Sequence, residues 1–576
     1  MSDTSTVPPS STYPWSDTVA DNVDWLDPVE PKPLFDLLDS AISRFPANTC
    51  TNFLGKTQTY SEIASAVQHT AAGLEKLGVT KGSKVGLFFP NCPSYVIYYY
   101  ATLKLGGIVV NFNPLYTIEE LETQIKDSGT SIMVTLNLAV LFDKIETLVK
   151  NASLDRVVVC DFPKLLPGVK STLFRLAKRK ELANVASSPI SNNIILDKDL
   201  RDNDGRYTAA EIDPLQDVAV LQYTGGTTGT PKGAMLTHAN LYTNAFQIMA
   251  WAPELEDGRQ RVMAILPFFH VFGMTVVTNF AIGRASEIVL IPKFELEDAL
   301  KTITKTKPTC MPGVPTLYNA IINHKKLSKY DVSSLNFCFS GGAPLPLSTK
   351  NQFEELTHCK LVEGYGLSES SPVVSCNPLP GPIKEGSIGI PMPGTVVSLR
   401  DLEDTTKEVP LGERGELVVS GPQVMKGYWN RPEETDDVFV GDFLRTGDVA
   451  TMDAQGFIYI VDRIKDIILC SGFNVYPRQI EDAIYQHSAV EEVTVVAVPD
   501  EYRGEAPKAF VKLHDNGNLS EDELLSFLKV KLSKVEMPRE IEFRDELPKT
   551  MVGKLSKKEL RQEAEALAAG AADEEE

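Results

Sequence analysis

The chain has 576 residues, of which 43% are hydrophobic and 23% charged, and its formal net charge is −21. This is the composition of an ordinary globular protein, and the length predicts at least two domains. A strongly acidic chain is a poor candidate for binding nucleic acid through phosphate contacts, so no nucleic-acid partner is expected.

The sequence carries no recognisable signal for secretion or membrane insertion. Residues 1–17 contain neither a basic segment nor an apolar one, so no secretory signal is predicted. No run of 18 or more apolar residues occurs, so no transmembrane helix is predicted. The eight cysteines are scattered, without a CxxC motif or zinc-like spacing with histidine, and we expect reduced thiols. These features favour a cytoplasmic protein.

The first part of the chain alternates between helix and strand patterns. Residues 1–30 are polar and rich in proline, and we expect a flexible N-terminal arm there. Apolar residues at helical spacing in "QTYSEIASAVQHTAAGLEKLG" predict a helix that stops at Gly78, and "SIMVTL" and "DRVVVCD" are typical of strands. Short apolar strands continue as far as "CKLVEGYG". This alternation predicts an α/β fold with parallel sheet.

The pattern changes after Asp448. The segment "GFIYIVDRIKDIILCSGFNVYP" is typical of antiparallel strands. The patterns that follow it predict a compact α+β unit of about a hundred residues, an ordinary size for a small domain. The chain ends in the acidic, alanine-rich segment "AEALAAGAADEEE", and we expect residues 567–576 to form a frayed tail.

A glycine- and threonine-rich stretch, "GGTTGTPKG", directly follows the apolar strand "DVAVLQYT". Glycines allow backbone N–H groups to turn inward around an anion, and threonine hydroxyls add further donors. Together with the positive charge of Lys232, this chemistry suits a polyphosphate. The stretch does not match Walker A, because Lys232 precedes Gly233, and it is not GxGxxG either. A flexible surface loop is the alternative interpretation.

Three later positions carry groups that suit a nucleotide. The segment "LVEGYGLSES" contains Tyr365, Ser368 and Glu369, and an aromatic ring can stack on a base while a carboxylate can hold Mg²⁺. Asp448 lies at a turn in "LRTGD", where a carboxylate can accept both ribose hydroxyls. Lys554 follows a glycine in "LPKTMVGK". Each has a plainer alternative: a core tyrosine, a turn aspartate and a solvated lysine.

Eight motifs, taken in chain order, resemble the ANL superfamily of adenylate-forming enzymes, which includes acyl-CoA synthetases, peptide-synthetase adenylation domains and luciferases. They are YTGGTTGTPKG, LPFFHVFGM, SGGAPL, EGYGLSES, LRTGD, VDRIKD, SGFNVYP and PKTMVGK. The resemblance covers about residues 30–565. Segments such as "NFNPLYTIEELETQIKDSG" and "GPQVMKGYWNRPEETDD" look most like bacterial long-chain fatty-acid–CoA ligases.

The resemblance implies a division into domains. A large N-terminal domain that binds AMP and the acid is expected at 31–462, with two parallel-sheet subdomains and a small β-barrel. A hinge at 463–466 and a small, mobile α+β lid domain at 467–566 follow. The site is expected between the two domains, where ligand sites commonly lie.

The resemblance also implies where ATP binds. The phosphate loop corresponds to Thr224, Gly225, Gly226, Thr227, Thr228, Gly229 and Lys232. The adenine pocket corresponds to Gly342, Ala343, Glu363, Gly364, Tyr365 and Gly366, with Tyr365 stacking on the base. Ser368 stands where many relatives have threonine, so a hydroxyl remains for the α-phosphate. Asp448 and Arg463 are expected to bind the ribose.

Lys554 is the principal candidate for catalysis. When a carboxylate attacks the α-phosphorus, negative charge builds on the phosphoryl oxygens and on the departing pyrophosphate, and an ammonium and Mg²⁺ can stabilise it. The resemblance implies Thr224 and Glu369 as Mg²⁺ ligands. It implies that His270, in "LPFFHVFGM", lies near the substrate carboxylate; the alternative is a histidine within an aromatic cluster.

For the transfer to coenzyme A, the resemblance implies that the C-terminal domain rotates about Lys465. The rotation withdraws the lysine turn and presents "LCSGFNVYP" to the thiol, with Gly472 and Phe473 beside it. Glycine permits a close approach of backbone to a ligand. Some relatives carry lysines at the positions of Leu469 and Ser471, and the contacts of those lysines do not transfer to this chain.

Residues 164–180, "KLLPGVKSTLFRLAKRK", are basic and contain no acidic residue. Their apolar residues Leu166, Val169, Leu173 and Leu176 fall on one face of a helix. Two interpretations are open. The segment is either a solvated helix whose apolar face packs on the N-terminal domain, or a peripheral contact with the anionic inner surface of a membrane.

The sequence therefore predicts an ATP-dependent long-chain fatty acid–CoA ligase that uses ATP, Mg²⁺ and coenzyme A. Two alternatives stay open: a medium-chain or aryl (coumarate-type) acyl-CoA ligase, and an acyl-AMP ligase without the coenzyme A step. The oligomeric state is open as well, a homodimer included.

Overall fold

The structure is a computed structural model. It describes residues 13–19, 25, 29–224, 231–379, 381–500, 502–514, 517–550 and 553–573. Within these ranges, no helix is long and apolar enough to span a membrane. All eight cysteines fall in these ranges, and they are buried and free of disulfides, as the sequence predicted.

The strands of the described residues are numbered in chain order. They are β1 (Thr49–Phe53), β2 (Lys56–Thr59), β3 (Lys84–Phe88), β4 (Ile108–Asn111), β5 (Ile132–Leu136), β6 (Arg156–Cys160), β7 (Ile194–Leu196), β8 (Val218–Thr224), β9 (Lys232–Thr237), β10 (Arg261–Ala264), β11 (Glu287–Leu290), β12 (Cys310–Gly313), β13 (Phe337–Ser340), β14 (Lys360–Gly366), β15 (Val373–Cys376), β16 (Ile390–Pro391), β17 (Val396–Arg400), β18 (Gly415–Ser420), β19 (Phe439–Val440), β20 (Phe443–Met452), β21 (Ile458–Arg463), β22 (Ile468–Cys470), β23 (Phe473–Val475), β24 (Val490–Asp500), β25 (Gly504–Leu513) and β26 (Glu540–Phe543).

The α-helices are numbered in the same way. They are α1 (Asp36–Arg44), α2 (Tyr60–Lys76), α3 (Pro93–Lys104), α4 (Ile118–Ser128), α5 (Ala139–Lys150), α6 (Phe162–Leu165), α7 (Gly168–Ala177), α8 (Asp197–Leu200), α9 (His238–Trp251), α10 (Phe280–Gly283), α11 (Leu296–Thr306), α12 (Pro315–Ile322), α13 (Leu347–Thr357), α14 (Pro432–Val438), α15 (Pro477–Tyr485), α16 (Glu521–Leu528) and α17 (Lys557–Asp573). Short 3₁₀ turns occupy Arg179–Glu181, Val185–Ser187, Ser191–Asn193, Leu327–Lys329, Ser368–Ser370 and Ile464–Asp466, and Gly273–Asn279 is a π-helix.

Two mainly parallel sheets form the body of the N-terminal domain. Among the described residues, one sheet has nine strands in the order β16-β15-β14-β13-β12-β10-β11-β1-β2, and the other has seven in the order β7-β6-β5-β3-β4-β8-β9. The pairs between β14 and β1 and between β7 and β8 are parallel, and antiparallel strands close the edges. This confirms the predicted α/β fold with two parallel-sheet subdomains.

Local sequence signals explain where the helices begin and end. Thr59 and Glu62 form a reciprocal capping box at the start of α2, and Thr117 and Glu120 form another at the start of α4. Each cap satisfies N–H groups that a helix end leaves open, and a cap of this kind is worth about 1 kcal/mol. By contrast, α3 is buried on all sides, which is typical of a helix that is apolar all round.

The rest of the chain is mainly antiparallel. The third sheet, the counterpart of the predicted small β-barrel, pairs β17, β18, β20, β19 and β21 in antiparallel fashion. The last sheet joins β22–β26, and its buried residues form cores of their own that begin at Ile468, whereas the N-terminal core ends at Ile458. The break between the cores brackets the hinge predicted at 463–466.

Both chain ends differ from their predictions. In the predicted flexible arm at 1–30, Trp15 and Trp25 are buried, and Tyr13 stacks on Trp15 with ring centroids 4.9 Å apart. Aromatic burial of this size fixes the described part of the arm to the N-terminal core. At the other end, α17 continues to Asp573, so the acidic segment predicted to fray from residue 567 is helical as far as that residue.

For the basic segment at 164–180, the structure contradicts one of the two interpretations. Leu166 is buried in the turn between α6 and α7, whereas Val169, Leu173 and Leu176 are exposed. The apolar face of α7 therefore does not pack on the N-terminal domain, which contradicts that interpretation of the segment.

Candidate active site

A large cleft of about 1560 Å³ lies between the two domains. Most of the predicted site residues line it: Thr224, Lys232, His270, Gly342, Ala343, Glu363, Gly364, Tyr365, Gly366, Ser368, Glu369, Asp448, Arg463, Lys465 and Lys554. Gly225, Gly226, Thr227, Thr228 and Gly229 lie outside the described residues. A single-ligand pocket usually measures about 300–1,000 Å³, so the cleft has room for a nucleotide and a second ligand.

The phosphate-loop segment connects two antiparallel strands. Thr224, at the end of β8, pairs with Lys232, at the start of β9, so both ends of the loop are held side by side. The ring of Tyr223 lies under Gly233, where an added Cβ would come within 3.1 Å of it. The Tyr223 hydroxyl donates to the Asp127 carboxylate at 2.6 Å. The base of the loop is therefore stabilised by packing on the buried Tyr223 ring and by the hydrogen bond from Tyr223 to Asp127.

The carboxylate of Glu369 is held by a residue that the sequence did not indicate. The Tyr428 hydroxyl donates to Glu369 Oε1 at 2.8 Å, and the backbone N–H of Met425 donates to the carbonyl oxygen of Glu369 at 2.7 Å. The ammonium of Lys232 lies 5.1 Å from the centre of the Tyr428 ring, a cation–π distance. Tyr428 thus links the phosphate-loop lysine to the predicted metal carboxylate.

Asp448, Tyr365 and Arg463 form one cluster on the other side of the cleft. Asp448 on β20 and Arg463 on β21 are direct partners across the antiparallel pair, and Arg463 Nε lies 3.3 Å from Asp448 Oδ1. The Tyr365 hydroxyl donates to Asp448 Oδ2. Burial raises the pKa of the Asp448 carboxyl, and the nearby Arg463 guanidinium opposes that rise. The cluster presents a fixed, buried acceptor of the kind that a sugar diol requires.

Two neighbours of this cluster are shaped by close packing. A Cβ on Gly366 would lie 1.9 Å from the carbonyl oxygen of Pro372, the residue just before β15. Only glycine therefore fits where β14 passes this residue. Glu363, also on β14, accepts from the backbone N–H of Leu345 at 3.2 Å. Burial raises the pKa of Glu363 to about 7, although the Arg478 guanidinium lowers it in part. Glu363 therefore changes its charge near neutral pH.

Lys554 reaches the cleft from the C-terminal domain. Its side chain lies against Gly342, where an added Cβ would be 2.6 Å from Cε and 3.0 Å from Nζ of Lys554. The Thr316 hydroxyl, from the N-terminal domain, donates at 2.7 Å to the carbonyl oxygen of Gly553 and so anchors the lysine turn. Burial, and then the Arg463 guanidinium, lower the pKa of Lys554 to about 8. The amine therefore stays mainly protonated at pH 7.

His270 lies near Lys554 but is not a proton carrier at neutral pH. Burial, and then the charge of Lys554, lower the pKa of His270 to about 3. The backbone N–H of Phe272 donates to Nδ1 of His270 at 3.2 Å, which leaves the proton on Nε2. The imidazole is thus neutral and has one N–H to donate, which suits contact with a carboxylate oxygen better than general base catalysis.

One part of the cleft wall is apolar. Its side chains come from α9, the π-helix and the β13–β16 edge, and they are Ile248, Trp251, Val271, Phe272, Val276, Phe339, Cys376, Ile388 and Met392. The indole N–H of Trp251 donates to the carbonyl oxygen of Cys376 at 3.1 Å, so this polar group is satisfied inside the wall. A long apolar substituent can lose water contact here without leaving a buried polar group unpaired.

The β22–β23 hairpin does not belong to the cleft. Ser471 and Gly472 form its two-residue turn, both with positive φ, and neither Gly472 nor Phe473 lines the cleft. Phe473 is 62% exposed. Lys465, in the 3₁₀ turn between the domains, does line the cleft, and burial lowers its pKa. The structure therefore brings Lys554 and Lys465 together with the nucleotide residues, but not Gly472 or Phe473.

Two known protein families match this chain, one in each domain. The AMP-binding enzyme family matches residues 38–429, and the AMP-binding enzyme C-terminal domain matches residues 479–554. The chain belongs to the AMP-binding enzyme family. The resemblance to adenylate-forming enzymes is thereby confirmed, and the C-terminal match ends at Lys554, the residue that enters the cleft.

Relatives within this family span almost the whole chain. A long-chain-fatty-acid–CoA ligase of Bacillus subtilis (strain 168) is 42% identical over 553 residues, which cover 96% of this chain and 98% of that protein. A protein of the same name from Escherichia coli O6:H1 is 39% identical over 554 residues, covering 94% and 96%. A feruloyl-CoA synthase of an Amycolatopsis species is 33% identical over 523 residues, covering 90% and 96%.

A solved structure shares the whole arrangement. An anthranilate CoA ligase in complex with anthranoyl-AMP has a TM-score of 0.81 and 27% identity, with 94% of this chain and 99% of that chain covered. The agreement includes both domains, which confirms the predicted fold of a large N-terminal domain with a smaller C-terminal one.

The oxygen donors of the cleft suit a magnesium ion held partly by substrate. Among the described residues, no group of three or more His, Cys, Asp or Glu side chains could hold a metal by itself. Glu369 and Thr224 line the same cleft, and Mg²⁺ is commonly bound by one or two protein oxygens together with substrate phosphates. The hydrogen bond from Tyr428 fixes one oxygen of Glu369 and leaves the other for a cation.

Two contacts at the cleft could not be predicted from the sequence. Tyr428 and Glu369 are 59 positions apart, and Thr316 and Gly553 are 237 positions apart. No periodicity or spacing joins such residues. Only Tyr428 had a local signal, because it lies in "MKGYWN", a segment that contributed to the resemblance.

Proposed function

We propose that this member of the AMP-binding enzyme family is an ATP-dependent long-chain fatty acid–CoA ligase. It joins a fatty acid to AMP with release of pyrophosphate, and then transfers the acyl group to coenzyme A with release of AMP. The observation that carries this proposal is the position of Lys554. Its side chain, supplied by one domain, lies against Gly342 of the other, in the same cleft as Thr224, Lys232 and the Asp448 cluster.

In the first step, a carboxylate oxygen of the acid attacks the α-phosphorus, and the bond to pyrophosphate breaks. Charge that develops on the phosphoryl oxygens is stabilised by the Lys554 ammonium, which lies in a partly dry cleft where such an interaction is strong. Asp448 and Arg463 hold the ribose, and Tyr365 stacks on the adenine. The N–H of His270 orients the substrate carboxylate. No enzyme nucleophile is required.

A magnesium ion bound by Glu369 and Thr224 would neutralise phosphate charge during this step. Lys232, at the start of β9, adds a positive charge to the same part of the cleft. Because Tyr428 contacts both Glu369 and the Lys232 ammonium, it sets the distance between the two cationic parts of the phosphate site. These roles rest on the geometry of the described side chains and on the family resemblance together.

In the second step, the thiol of coenzyme A loses its proton and its sulfur attacks the acyl carbonyl carbon, and AMP leaves. The hairpin that carries Gly472 and Phe473 is proposed to line the thiol path. It lies outside the cleft while Lys554 lies inside it. Rotation of the C-terminal domain about Lys465 would exchange the two, and the separate hydrophobic cores support movement of this domain as a unit.

Two observations support a long-chain acid over the alternatives. Part of the cleft wall is apolar and includes Trp251 and Phe339, and the long-chain ligases are 42% and 39% identical to this chain whereas the feruloyl-CoA synthase is 33% identical. An aryl or medium-chain acid, or arrest at the acyl adenylate, would use the same nucleotide residues.

One assay tests this proposal. Pyrophosphate release and loss of free thiol are measured side by side with ATP and Mg²⁺, for aliphatic acids of increasing length and for benzoate and coumarate, with and without coenzyme A. We expect acid-dependent pyrophosphate with an equal loss of thiol, largest for long chains. Preference for coumarate would make the chain an aryl ligase, and pyrophosphate without thiol loss would make it an acyl-AMP ligase.

A further inference from the structure

The helix α7 leaves an apolar face without a protein partner among the described residues. Val169, Leu173 and Leu176 are 76%, 58% and 75% exposed and lie at helical spacing on one side. They are called the α7 face below. On the opposite side, Phe174 packs on Phe162 with ring centroids 5.1 Å apart and so fixes the helix to the domain. The α7 face is therefore exposed although the helix itself is held against the N-terminal domain.

Positive charge surrounds this face although the whole chain is acidic. Exposed basic side chains of the segment and of its neighbours in space are Lys56, Lys164, Lys170, Arg175, Lys178, Arg179, Lys180 and Lys305. Two acidic residues pair with them: Asp161 with Arg175, and Glu181 with Lys178 at 2.9 Å. The local balance is positive, whereas the formal net charge of the chain is −21.

A fourth exposed apolar side chain lies on α5, whose start is tied by a backbone bridge to the end of the basic segment. An antiparallel bridge joins Leu182, just after the basic segment, to Leu138, just before α5. The second residue of α5, Val140, is 68% exposed. Apolar side chains on the surface of a soluble protein are ordinary when scattered singly, but a contiguous patch rimmed by charge indicates an interaction site.

We propose that the α7 face docks on the surface of an anionic lipid bilayer. An amphipathic helix with apolar residues on one side and lysine and arginine beside them lies in the interface plane, with the apolar side chains among the acyl chains and the basic ones near the headgroups. A second copy of the chain is a poorer occupant. A two-fold contact would bring the same basic rim of both copies together, and like charges repel.

The inference gives the proposed function a source of substrate, because long-chain acids partition into bilayers, but its test does not depend on that function. Vesicle binding is measured with the full-length protein in the absence of ATP and coenzyme A. Failure of the ligase assay and failure of vesicle binding are therefore separate results.

The test is co-sedimentation with vesicles of phosphatidylcholine alone and of phosphatidylcholine mixed with phosphatidylglycerol. We expect binding to the mixed vesicles that weakens as salt rises, because the basic side chains are screened. The double change Arg179→Glu with Lys180→Glu should lower the partition coefficient at least 20-fold, at roughly a factor of five for each basic side chain lost. The double change Leu173→Gln with Leu176→Gln should lower it in all salt concentrations.

A matched patch in the C-terminal domain supplies the control. Lys529, Val530 and Lys534 are exposed there, and the changes Lys529→Glu with Lys534→Glu, and Val530→Gln, should leave binding unchanged. All variants alter exposed side chains, so their circular dichroism and melting should match the parent. Binding that survives both α7 double changes, or absence of parent binding to mixed vesicles, overturns the proposal. A stable dimer that only Leu173→Gln with Leu176→Gln dissociates would assign the face to a second copy and overturn it as well.

Discussion

The two sides of the C-terminal domain meet very different surroundings. On one side, Lys554 enters the cleft, its turn is bonded to Thr316 of the other domain, and burial lowers the pKa of its amine to about 8. On the other side, Phe473 is 62% exposed, and a Cβ added to Gly472 would meet no atom within 4 Å. One small domain thus carries two faces. The engaged face is the turn of Lys554, which contacts the other domain, and the disengaged face is the exposed turn of Gly472 and Phe473. From this difference we expect that the two proposed half-reactions depend on separate residues and can be impaired separately.

The largest expected effect comes from the engaged face. Lys554→Ala should lower the rate of acyl-adenylate formation by about 10²–10³ or more, the cost of removing one well-placed electrostatic donor. Transfer to coenzyme A from a supplied acyl adenylate should change little, because in the proposed second step the lysine has left the cleft. Single-turnover measurement of both half-reactions checks this, with Lys534→Ala, at an exposed position of the same domain outside the cleft, as the control. Equal loss in both steps would contradict the separation of the two faces.

The protonation of Lys554 sharpens the same comparison. Because its pKa in the free enzyme is about 8, the ammonium is present below that pH and lost above it. The value of kcat/KM for pyrophosphate formation should therefore fall about tenfold per pH unit above pH 8. Lys554→Arg, slower but charged throughout, should move this limb to higher pH. A limb that stays in place in the arginine variant would belong to another group.

The disengaged face should show the opposite pattern. Phe473→Ala should raise the KM for coenzyme A about tenfold, the order expected when an aromatic contact to a ligand is lost. Pyrophosphate formation in the absence of coenzyme A should be unchanged, because Phe473 lies outside the cleft. Val530→Ala, at another exposed position of the same domain, is the control. A defect of Phe473→Ala in pyrophosphate formation would refute the assignment of the hairpin to the second step.

A change at Tyr428 should disturb the proposed metal site at Glu369 while Lys554 stays in place. Tyr428→Phe removes the hydroxyl that donates to Glu369, and a hydrogen bond to a charged group is worth about 1.5–3 kcal/mol. The Mg²⁺ concentration for half-maximal adenylation should rise about tenfold, and Mn²⁺ binding with ATP, followed by electron paramagnetic resonance, should weaken in parallel. Tyr459→Phe, which loses a contact to Asp453 elsewhere, is the matched control. Unchanged metal dependence in Tyr428→Phe would remove it from the metal site.

Much of the fold could be read from the sequence, because strands and helices follow from short-range patterns such as the helix before Gly78 and the strand that ends at Thr224. Site residues with local chemistry, such as Asp448 in "LRTGD", were also readable. The predictions that failed concern whether a segment is buried against the rest of the protein or exposed to solvent. Trp15 in the predicted arm is buried, although composition favoured the reverse, and Leu173 is exposed, which the periodicity of its segment left open. Tyr428 acts through a contact that only the tertiary fold creates.

The smallest expected effect concerns the buried carboxyl of Glu363. Burial raises its pKa from 4.5 to about 7, so between these values the folded protein binds a proton that the unfolded chain has released. Stability therefore falls as pH rises through this window, by at most about 3 kcal/mol, since one pKa unit corresponds to about 1.4 kcal/mol.

Glu363→Gln removes this titration while it keeps an acceptor for the N–H of Leu345. Relative to the parent, the variant should gain melting temperature as the pH is raised from 5 to 8, and the gain should level off above pH 7. Glu355→Gln, at an exposed position on α13, should show no such trend. A constant difference across this pH range would mean that Glu363 is ionised in the folded protein throughout, and that Arg478 from the C-terminal domain outweighs its burial.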